Sequence, residues 1–295
     1  RRLPARFQIV TESWNRVVAV PYMVNMPEKD RLLMLVGCDY PHRAFVLTSD
    51  DRGATWTDPR HVRVGDDGKP SIGMGTGLAY LGKGTLLFYE DGILAAGQPS
   101  RWFSTDYGKT WGDPVPIARS SDDKPWYIWD PPLVDRHPRT GKIIQLAETG
   151  YRQSGTGSQA SIRFSTDLGQ TWSPSITVPE WHGVNEVSLF RAGNGDLLAA
   201  CRTDVPGRLE GKTLDHYEGL GISISRDDGR TWSAVKKLYD YGRHHPSLVL
   251  MRNQDIVMTY VVRLGYVDDQ EGFPQFGIEA VVSHDHGATW DLDHR

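Results

Sequence analysis

The sequence is short of the features that mark several classes of protein. Its 295 residues include only two cysteines, too few to indicate the redox compartment, and no apolar run approaches the length that spans a membrane. Its 33 basic and 37 acidic residues leave a formal net charge of −4, so there is no basic field for nucleic acid. We therefore expect neither a membrane nor a nucleic acid as partner.

The N-terminus also lacks a recognisable signal peptide. The chain opens on Arg1-Arg2-Leu3 without a methionine, which predicts a processed or trimmed start. A secreted or periplasmic location is favoured on this basis, although the sequence does not determine the compartment.

What the sequence does contain is a repeat. The motif S-x-D-x-G-x-T-W occurs five times, and successive copies begin 55, 61, 60 and 58 residues apart. The copies are Ser49–Trp56, Ser104–Trp111, Ser165–Trp172, Ser225–Trp232 and Ser283–Trp290. A period in this range, with strand-like residues between, favours a propeller or a similar array. The Asp can fold back onto turn N–H groups and the Gly can take a positive φ, so we interpret the motif as a structural turn rather than a metal site.

A second unit recurs between the motif copies: an apolar strand, a short polar turn and another apolar strand. The clearest copy is Glu186–Arg202, which turns at Asn194-Gly195. The others are Ala19–Asp39, Gly75–Asp91, Asp130–Glu148 and His245–Arg263. This hairpin, followed by a hairpin that the motif turns, predicts a four-stranded antiparallel blade.

The five motif copies resemble the Asp-box of the sialidase (neuraminidase) superfamily, and they cover the chain from residue 49 to 290. The resemblance implies six blades, whereas only five residues follow Trp290. We therefore expect an all-β, six-bladed propeller in which five blades are evident and the last is truncated, with residues 1–295 as one domain. A five-bladed ring closed by residues 1–15 is the alternative.

The ends of the first hairpins carry the residues of chemical interest. In each blade the start of one strand lies beside the end of the next, and we expect these ends to gather at one mouth of the ring. They carry Asp39, Glu90, Asp91, Asp130, Glu148, Asn185, Glu186, Arg202, His244, His245, Tyr260 and Arg263. Crowded carboxylates raise one pKa while a nearby Arg keeps another ionised, which suits glycoside hydrolysis. The competing interpretation is that these residues cap the blades or face water.

The resemblance also implies roles for single residues. Glu186 and Arg202 look like the glutamate and a triad arginine of the sialidase fourth blade, and Arg263 is similar in placement to the third triad arginine. Asp39 resembles the family's acid/base aspartate in position. Two features differ from the sialidases. Ala19-Val20-Pro21 stands where sialidases have Arg-Ile-Pro, so the first arginine is missing unless Arg16 replaces it. The nucleophilic tyrosine of the family belongs to the final blade, which we expect to be absent from this sequence.

The predicted function is therefore a sialidase-like exo-glycoside hydrolase that removes a terminal, acidic sugar from a glycan without a cofactor or metal. Glu186 is expected as nucleophile or base, Asp39 or Asp130 as acid, and Arg202 and Arg263 as substrate clamps. The other substrate-binding candidates are Glu148, Asp91, His244, His245, Tyr260 and, as a stacking surface beside Trp126 and Tyr127, Trp129.

Three alternatives remain open. A polysaccharide lyase acting on a uronate would use His244, His245, Tyr260 and Arg263. A hydrolase of the arabinan type would pair Glu186 with Glu148 or Glu90. A non-catalytic propeller would bind carbohydrate and lack the chemistry. The sequence leaves open the sugar, its linkage, the stereochemical course and the oligomeric state.

Overall fold

A computed structural model describes residues 8–91, 98–119, 126–137, 139–155, 157–209, 211, 215–264 and 275–295. These residues form nineteen strands in five sheets, with three single-turn 3-10 helices at Pro27–Lys29, Gly207–Leu209 and Asp215–Tyr217. Within them no helix has the length and apolar character needed to cross a membrane. The all-β class expected from the sequence is confirmed.

Strands that are consecutive in the chain are neighbours in each sheet, and the ladders are antiparallel. The first sheet contains β1 (Val18–Met26), β2 (Arg31–Cys38), β3 (Arg43–Ser49) and β4 (Arg60–His61). The second contains β5 (Gly75–Gly82), β6 (Thr85–Glu90), β7 (Ser100–Ser104) and β8 (Val115–Pro116). The third contains β9 (Leu133–Arg136), β10 (Ile143–Ser154), β11 (Gly157–Ser165) and β12 (Ile176–His182).

The fourth sheet contains β13 (Val184–Arg191), β14 (Leu197–Thr203), β15 (Gly219–Ser225) and β16 (Lys236–Tyr239). The fifth contains β17 (Arg243–Leu250), β18 (Ile256–Leu264) and β19 (Gln275–Ser283). Each is the up-and-down sheet that forms a blade of a β-propeller. The five predicted hairpins match β1–β2, β5–β6, β9–β10, β13–β14 and β17–β18.

The predicted blade number and strand count need correction. The described residues form five blades, so a sixth blade is not confirmed, and the fifth blade has three strands rather than four. In the complete blades the fourth strand begins four residues after the motif tryptophan, as at Trp232 and Lys236. The corresponding residue after Trp290 is His294, which lies outside any strand. Among the described residues, the isolated bridge between Val282 and Asp291 lies at that edge.

The chain divides into two compact units. The N-terminal unit contains Ala5–Leu146 and Ser165–Thr171, and the C-terminal unit contains Ala147–Phe164 and Trp172–Arg295. Each has its own apolar core, which includes Leu35 and Phe88 in the first unit and Ala200 and Met258 in the second, all completely buried. That the whole chain is one domain stays a prediction.

The repeated motif folds as a turn fastened by its own side chains. In the fourth copy, Ser225 Oγ donates to Asp227 Oδ1 and accepts from Gly229 N, while Thr231 donates from its N and Oγ1 to the carboxylate. The same contacts occur in the other four copies. The Thr231 hydrogen bonds lower the pKa of Asp227 to about 2, so the carboxylate stays ionised as a turn acceptor.

A β-bulge lies near the start of the first strand in four of the five blades. The ladder register shifts between Ala19 and Tyr22, Thr76 and Ala79, Val184 and Val187, and His244 and Ser247. A bulge adds one residue to one strand and turns its side chain away from the regular alternation. Two of these bulges, in β13 and β17, contain the residues of the candidate site.

Candidate active site

Glu186 and Arg202 lie side by side on the first hairpin of the fourth blade. Val184 pairs with Thr203 and Val187 with Cys201, so the intervening bulge places Glu186 opposite Arg202. Both residues are buried, at 5% and 8% exposure. Arg202 Nη1 donates to Glu186 Oε1 at 2.7 Å. The result is a buried, charge-assisted pair, a type of hydrogen bond that is shorter and stronger than one between neutral groups.

Glu218 contacts the Arg202 guanidinium on the side opposite Glu186. Its Oε2 forms an ion pair with Arg202 Nε. Its Oε1 accepts a hydrogen bond from Asn185 Nδ2 at 3.2 Å. Asn185 also donates to Asp204 Oδ1 at 3.3 Å, and its own Oδ1 accepts from Glu186 N at 2.6 Å. Asn185 therefore joins all three carboxylate residues at this end of the blade.

The interpretation of the sequence missed Glu218 because only the first two strands of each blade were considered. Glu218 precedes β15, the third strand, whose first residue Gly219 pairs with Thr203 at the end of β14. In an antiparallel ladder the start of the third strand returns to the end of the second strand. The residue before the third strand is therefore a further position at which a site residue is expected.

The two glutamates have opposite pKa shifts. Burial acts to raise the pKa of Glu186, but the hydrogen bonds and charges of His245 and Arg202 outweigh it and lower this pKa to about 2. Burial raises the pKa of Glu218 to about 7, an effect that Arg202 opposes and the negative charge of Glu186 reinforces. At neutral pH the site therefore holds one ionised carboxylate and one carboxyl that readily carries a proton.

His245 contacts both members of the Glu186–Arg202 pair. Its Nδ1 lies 2.7 Å from Glu186 Oε2, and its Nε2 lies 3.3 Å from Arg202 Nη1. The imidazole is 34% exposed, compared with 4% for the Glu186 side chain. Ser188 Oγ donates to the carbonyl of Pro246 at 2.7 Å, which ties the bulge of β17 to the neighbouring blade.

His244 and Tyr260 lie deeper than His245. His244 is completely buried against the His245 ring, and neither ring nitrogen has a hydrogen-bond partner among the described residues. Burial, with the charges of His245 and Arg202, lowers the pKa of His244 to about 2. Tyr260 is 1% exposed and its hydroxyl lies 2.7 Å from that of Tyr239. Burial and this contact raise the Tyr260 pKa, so the hydroxyl keeps its proton at neutral pH and is not available as a base.

Two other candidates in this unit lie on neighbouring strands. Arg263 is near the end of β18, and its positive charge contributes to the lowered pKa of His244. Glu148 is 1% exposed on β10, and its Oε1 lies 2.7 Å from Arg163 Nη2. This buried pair holds β10 against β11. Among the described residues no group of three or more His, Cys, Asp or Glu side chains could hold a metal ion.

No protein-family model matches the chain. A curated sialidase from Bacteroides fragilis (strain YCH46) is 22% identical over 200 residues, which are 65% of this chain and 33% of the relative. The chain thus spans about a third of the length of the curated relative that it matches.

Solved structures give a more extensive match. A protein of unknown function from Dyadobacter fermentans DSM 18053 has a TM-score of 0.68 at 20% identity, covering 90% of this chain and 79% of that one. The NanB sialidase of Streptococcus pneumoniae has a TM-score of 0.66 at 11% identity, covering 99% and 63%. The chain has the fold of a sialidase-superfamily propeller. A polysaccharide lyase, an ulvan lyase, also shares the fold, with a TM-score of 0.54 at 12% identity over 92% of this chain and 68% of that one.

The remaining candidate residues lie in the N-terminal unit. Asp39 follows β2 in a left-handed conformation, and its carboxylate forms an ion pair with Arg16, the residue considered as a replacement for the missing arginine. Asp91 follows β6 and its N donates to the Met74 carbonyl at 3.1 Å. The Trp129 carbonyl accepts from Tyr22 at 2.8 Å, immediately before Asp130. The functional roles expected for Asp39, Asp91, Trp129 and Asp130 stay predictions.

Proposed function

We propose that this protein is an exo-acting glycoside hydrolase that removes a terminal, acidic sugar from a glycan. The observation that carries the proposal is the pair Glu186 and Glu218 on the single guanidinium of Arg202. One carboxyl is held ionised, and the other, with a pKa raised to about 7, exchanges its proton near neutral pH. Glycosidases require two carboxyl groups in these two states.

The two glutamates have different roles in the proposed reaction. Glu218 donates its proton to the glycosidic oxygen as the bond to the sugar breaks. Glu186 is the ionised carboxylate that acts as nucleophile or as the base that activates water. Asp39 and Asp130 remain candidate acids from the sequence, but Glu218 is preferred because its raised pKa suits a proton donor and it shares Arg202 with Glu186.

The charge balance at Arg202 supports an acidic sugar as the substrate. When Glu218 carries its proton, one of the two negative charges paired with the guanidinium is removed. The positive charges of Arg202 and Arg263 then favour a carboxylate on the sugar, which arginine binds through charge-assisted hydrogen bonds.

A panel of fluorogenic glycosides tests this proposal. We expect the protein to release 4-methylumbelliferone from the glycosides of N-acetylneuraminic acid or glucuronic acid, and not from that of arabinofuranose. Release from the arabinofuranoside alone would contradict the acidic sugar. Release from none of the three would contradict hydrolysis of a terminal sugar.

A uronate lyase is the second candidate, and the contact of His245 with Arg202 favours it. A lyase needs a base beside a cation that neutralises the uronate. The tyrosine expected for that set, Tyr260, is instead buried against Tyr239.

Incubation with a uronate-containing polysaccharide separates the candidates, because a lyase product carries an unsaturated uronate that absorbs in the ultraviolet and a hydrolase product does not. Binding without either product would select a carbohydrate-binding propeller.

A further inference from the structure

We propose that His245 is a catalytic residue of this site, which takes the proton from the attacking water through Nε2 while Glu186 holds its ring in place. This inference rests on the proposed hydrolase function and specifies how Glu186 contributes to it: Glu186 acts through His245 rather than by touching the water itself.

The contacts of His245 define its tautomer. Arg202 has only donors, so at 3.3 Å its Nη1 can be a partner of Nε2 only if Nε2 offers a lone pair. The ring proton of neutral His245 is then on Nδ1, which faces Glu186 Oε2 at 2.7 Å. A carboxylate on one ring nitrogen with a lone pair on the other is the arrangement of a histidine base.

Glu186 itself is poorly placed to take a proton. Its Oε1 accepts from Arg202, and its Oε2 lies 2.7 Å from His245 Nδ1, so protein atoms lie against both oxygens. The same contacts lower its pKa to about 2, which makes it a weak base. Its side chain is 4% exposed, whereas that of His245 is 34% exposed. The reachable basic atom of the pair is His245 Nε2.

Water can replace the contact between Nε2 and Arg202. At 3.3 Å this contact is long, and Nη1 also donates to Glu186 at 2.7 Å. The other titratable group packed against the ring is His244, which its lowered pKa of about 2 keeps neutral. Among the described residues with a contact to the His245 ring, Arg202 and Glu186 are the charged ones, and Glu218 lies on the far side of the guanidinium.

The backbone conformation at His245 is determined by its position in the blade and not by its side chain. His245 has a φ of 53°, and the bulges of β1 and β5 contain Val20 at 48° and Gly77 at 58°. The left-handed conformation thus recurs with valine and glycine in place of histidine. Glycine at position 245 is expected to keep this backbone and to remove the imidazole only.

The proposed step is balanced in atoms and charge. The oxygen of water forms a bond to the anomeric carbon, and its proton passes to His245 Nε2. The bond from the anomeric carbon to the glycosidic oxygen breaks, its electron pair stays on that oxygen, and the oxygen takes the proton of Glu218. His245 is then an imidazolium beside Glu186, Glu218 is a carboxylate beside Arg202, and exchange with solvent restores both groups.

Chemical rescue tests this role. We expect His245→Gly to lower kcat by about 10²- to 10⁴-fold on the best glycoside of the panel, and added imidazole to recover part of the loss. The matched control is His284→Gly, since His284 Nδ1 lies 2.8 Å from Asp255 Oδ1 in an exposed pair of the same type. Full activity of His245→Gly would overturn the proposal, as would a loss that imidazole does not recover in a variant whose circular dichroism is unchanged.

A substrate-free measurement keeps this inference separate from the proposed function. The ¹⁵N shifts of wild-type histidines show which ring nitrogen carries the proton, and the resonance missing from His245→Gly identifies His245. A proton on Nδ1 supports the Glu186–His245 arrangement, and a proton on Nε2 overturns it. If the panel shows no hydrolysis by the wild-type protein, the proposed function fails, and the tautomer still decides whether His245 offers a basic Nε2.

Discussion

Arg202 determines the chemistry of the residues around it. Its planar guanidinium presents Nη1 to Glu186 and Nε to Glu218, so two carboxyl groups share one positive charge. Glu186 has His245 as a second partner and is held ionised. Burial and the charge of Glu186 raise the pKa of Glu218. The asymmetry between two residues of the same type comes from their partners.

The raised pKa of Glu218 predicts the pH dependence of turnover. The acid form is needed to protonate the leaving group, so kcat/KM is expected to fall as pH rises through about 7, approaching a tenfold loss for each further pH unit. Glu218→Gln cannot titrate, and we expect it to lose this alkaline limb together with about 10²- to 10⁴-fold of its activity. A pH–rate profile of both proteins measures this. An unchanged alkaline limb in Glu218→Gln would assign it to another group.

At the scale of the element, the repeated motif and the bulge have different tasks. The motif fastens the turn between the third and fourth strands through Ser, Asp and Thr side chains, far along the strand from the bulged end. The bulges at the start of the first strands direct Glu186 and His245 towards Arg202. The turn stabilises the blade, and the bulge places the site.

The motif predicts a measurable contribution to stability. Ser225 is 1% exposed, and its Oγ accepts from Gly229 N at 2.8 Å. Ser225→Ala leaves that buried N–H without its acceptor, so we expect a loss of about 1–3 kcal/mol in the free energy of unfolding. Ser154→Ala, at an exposed serine at the end of β10, is the matched control, with an expected change within about 0.5 kcal/mol. Equal values from urea unfolding would show that the turn is not held by Ser225.

The elements of the fold could be predicted from local patterns, whereas the completed site could not. Asn194-Gly195 and the repeated S-x-D-x-G-x-T-W have strong turn chemistry, and the hairpins they predict are present. The bulges have no such signal: Val20, Gly77 and His245 take similar backbone conformations with unrelated side chains. Glu218, the partner whose pKa shift is opposite to that of Glu186, directly precedes a third strand and follows a stretch with no hairpin pattern.

At the scale of the whole molecule, the period of the motif predicted the blade but not the number of blades. In the part of the chain that the structure describes, four sheets have four strands and the fifth has three, with an isolated bridge from Val282 to Asp291 at its edge. The motif copies mark turns, so they give the number of turns and not the number of blades in a closed ring. The expectation of six blades came from the resemblance to sialidases and not from the residues themselves. Glu186, Arg202, Glu218 and His245 all lie in the C-terminal unit, so the proposed chemistry depends on the fourth and fifth blades.

Turnover by Glu186→Gln tests the central claim, that the carboxylates around Arg202 perform the hydrolysis. On the best acidic glycoside of the panel we predict a loss of about 10²-fold or more in kcat relative to wild type, because an amide cannot hold His245 and Arg202 as a carboxylate does. Glu180→Gln, at an exposed glutamate of β12, should retain wild-type turnover. Wild-type turnover by a folded Glu186→Gln would contradict the account and place the reaction elsewhere on the propeller.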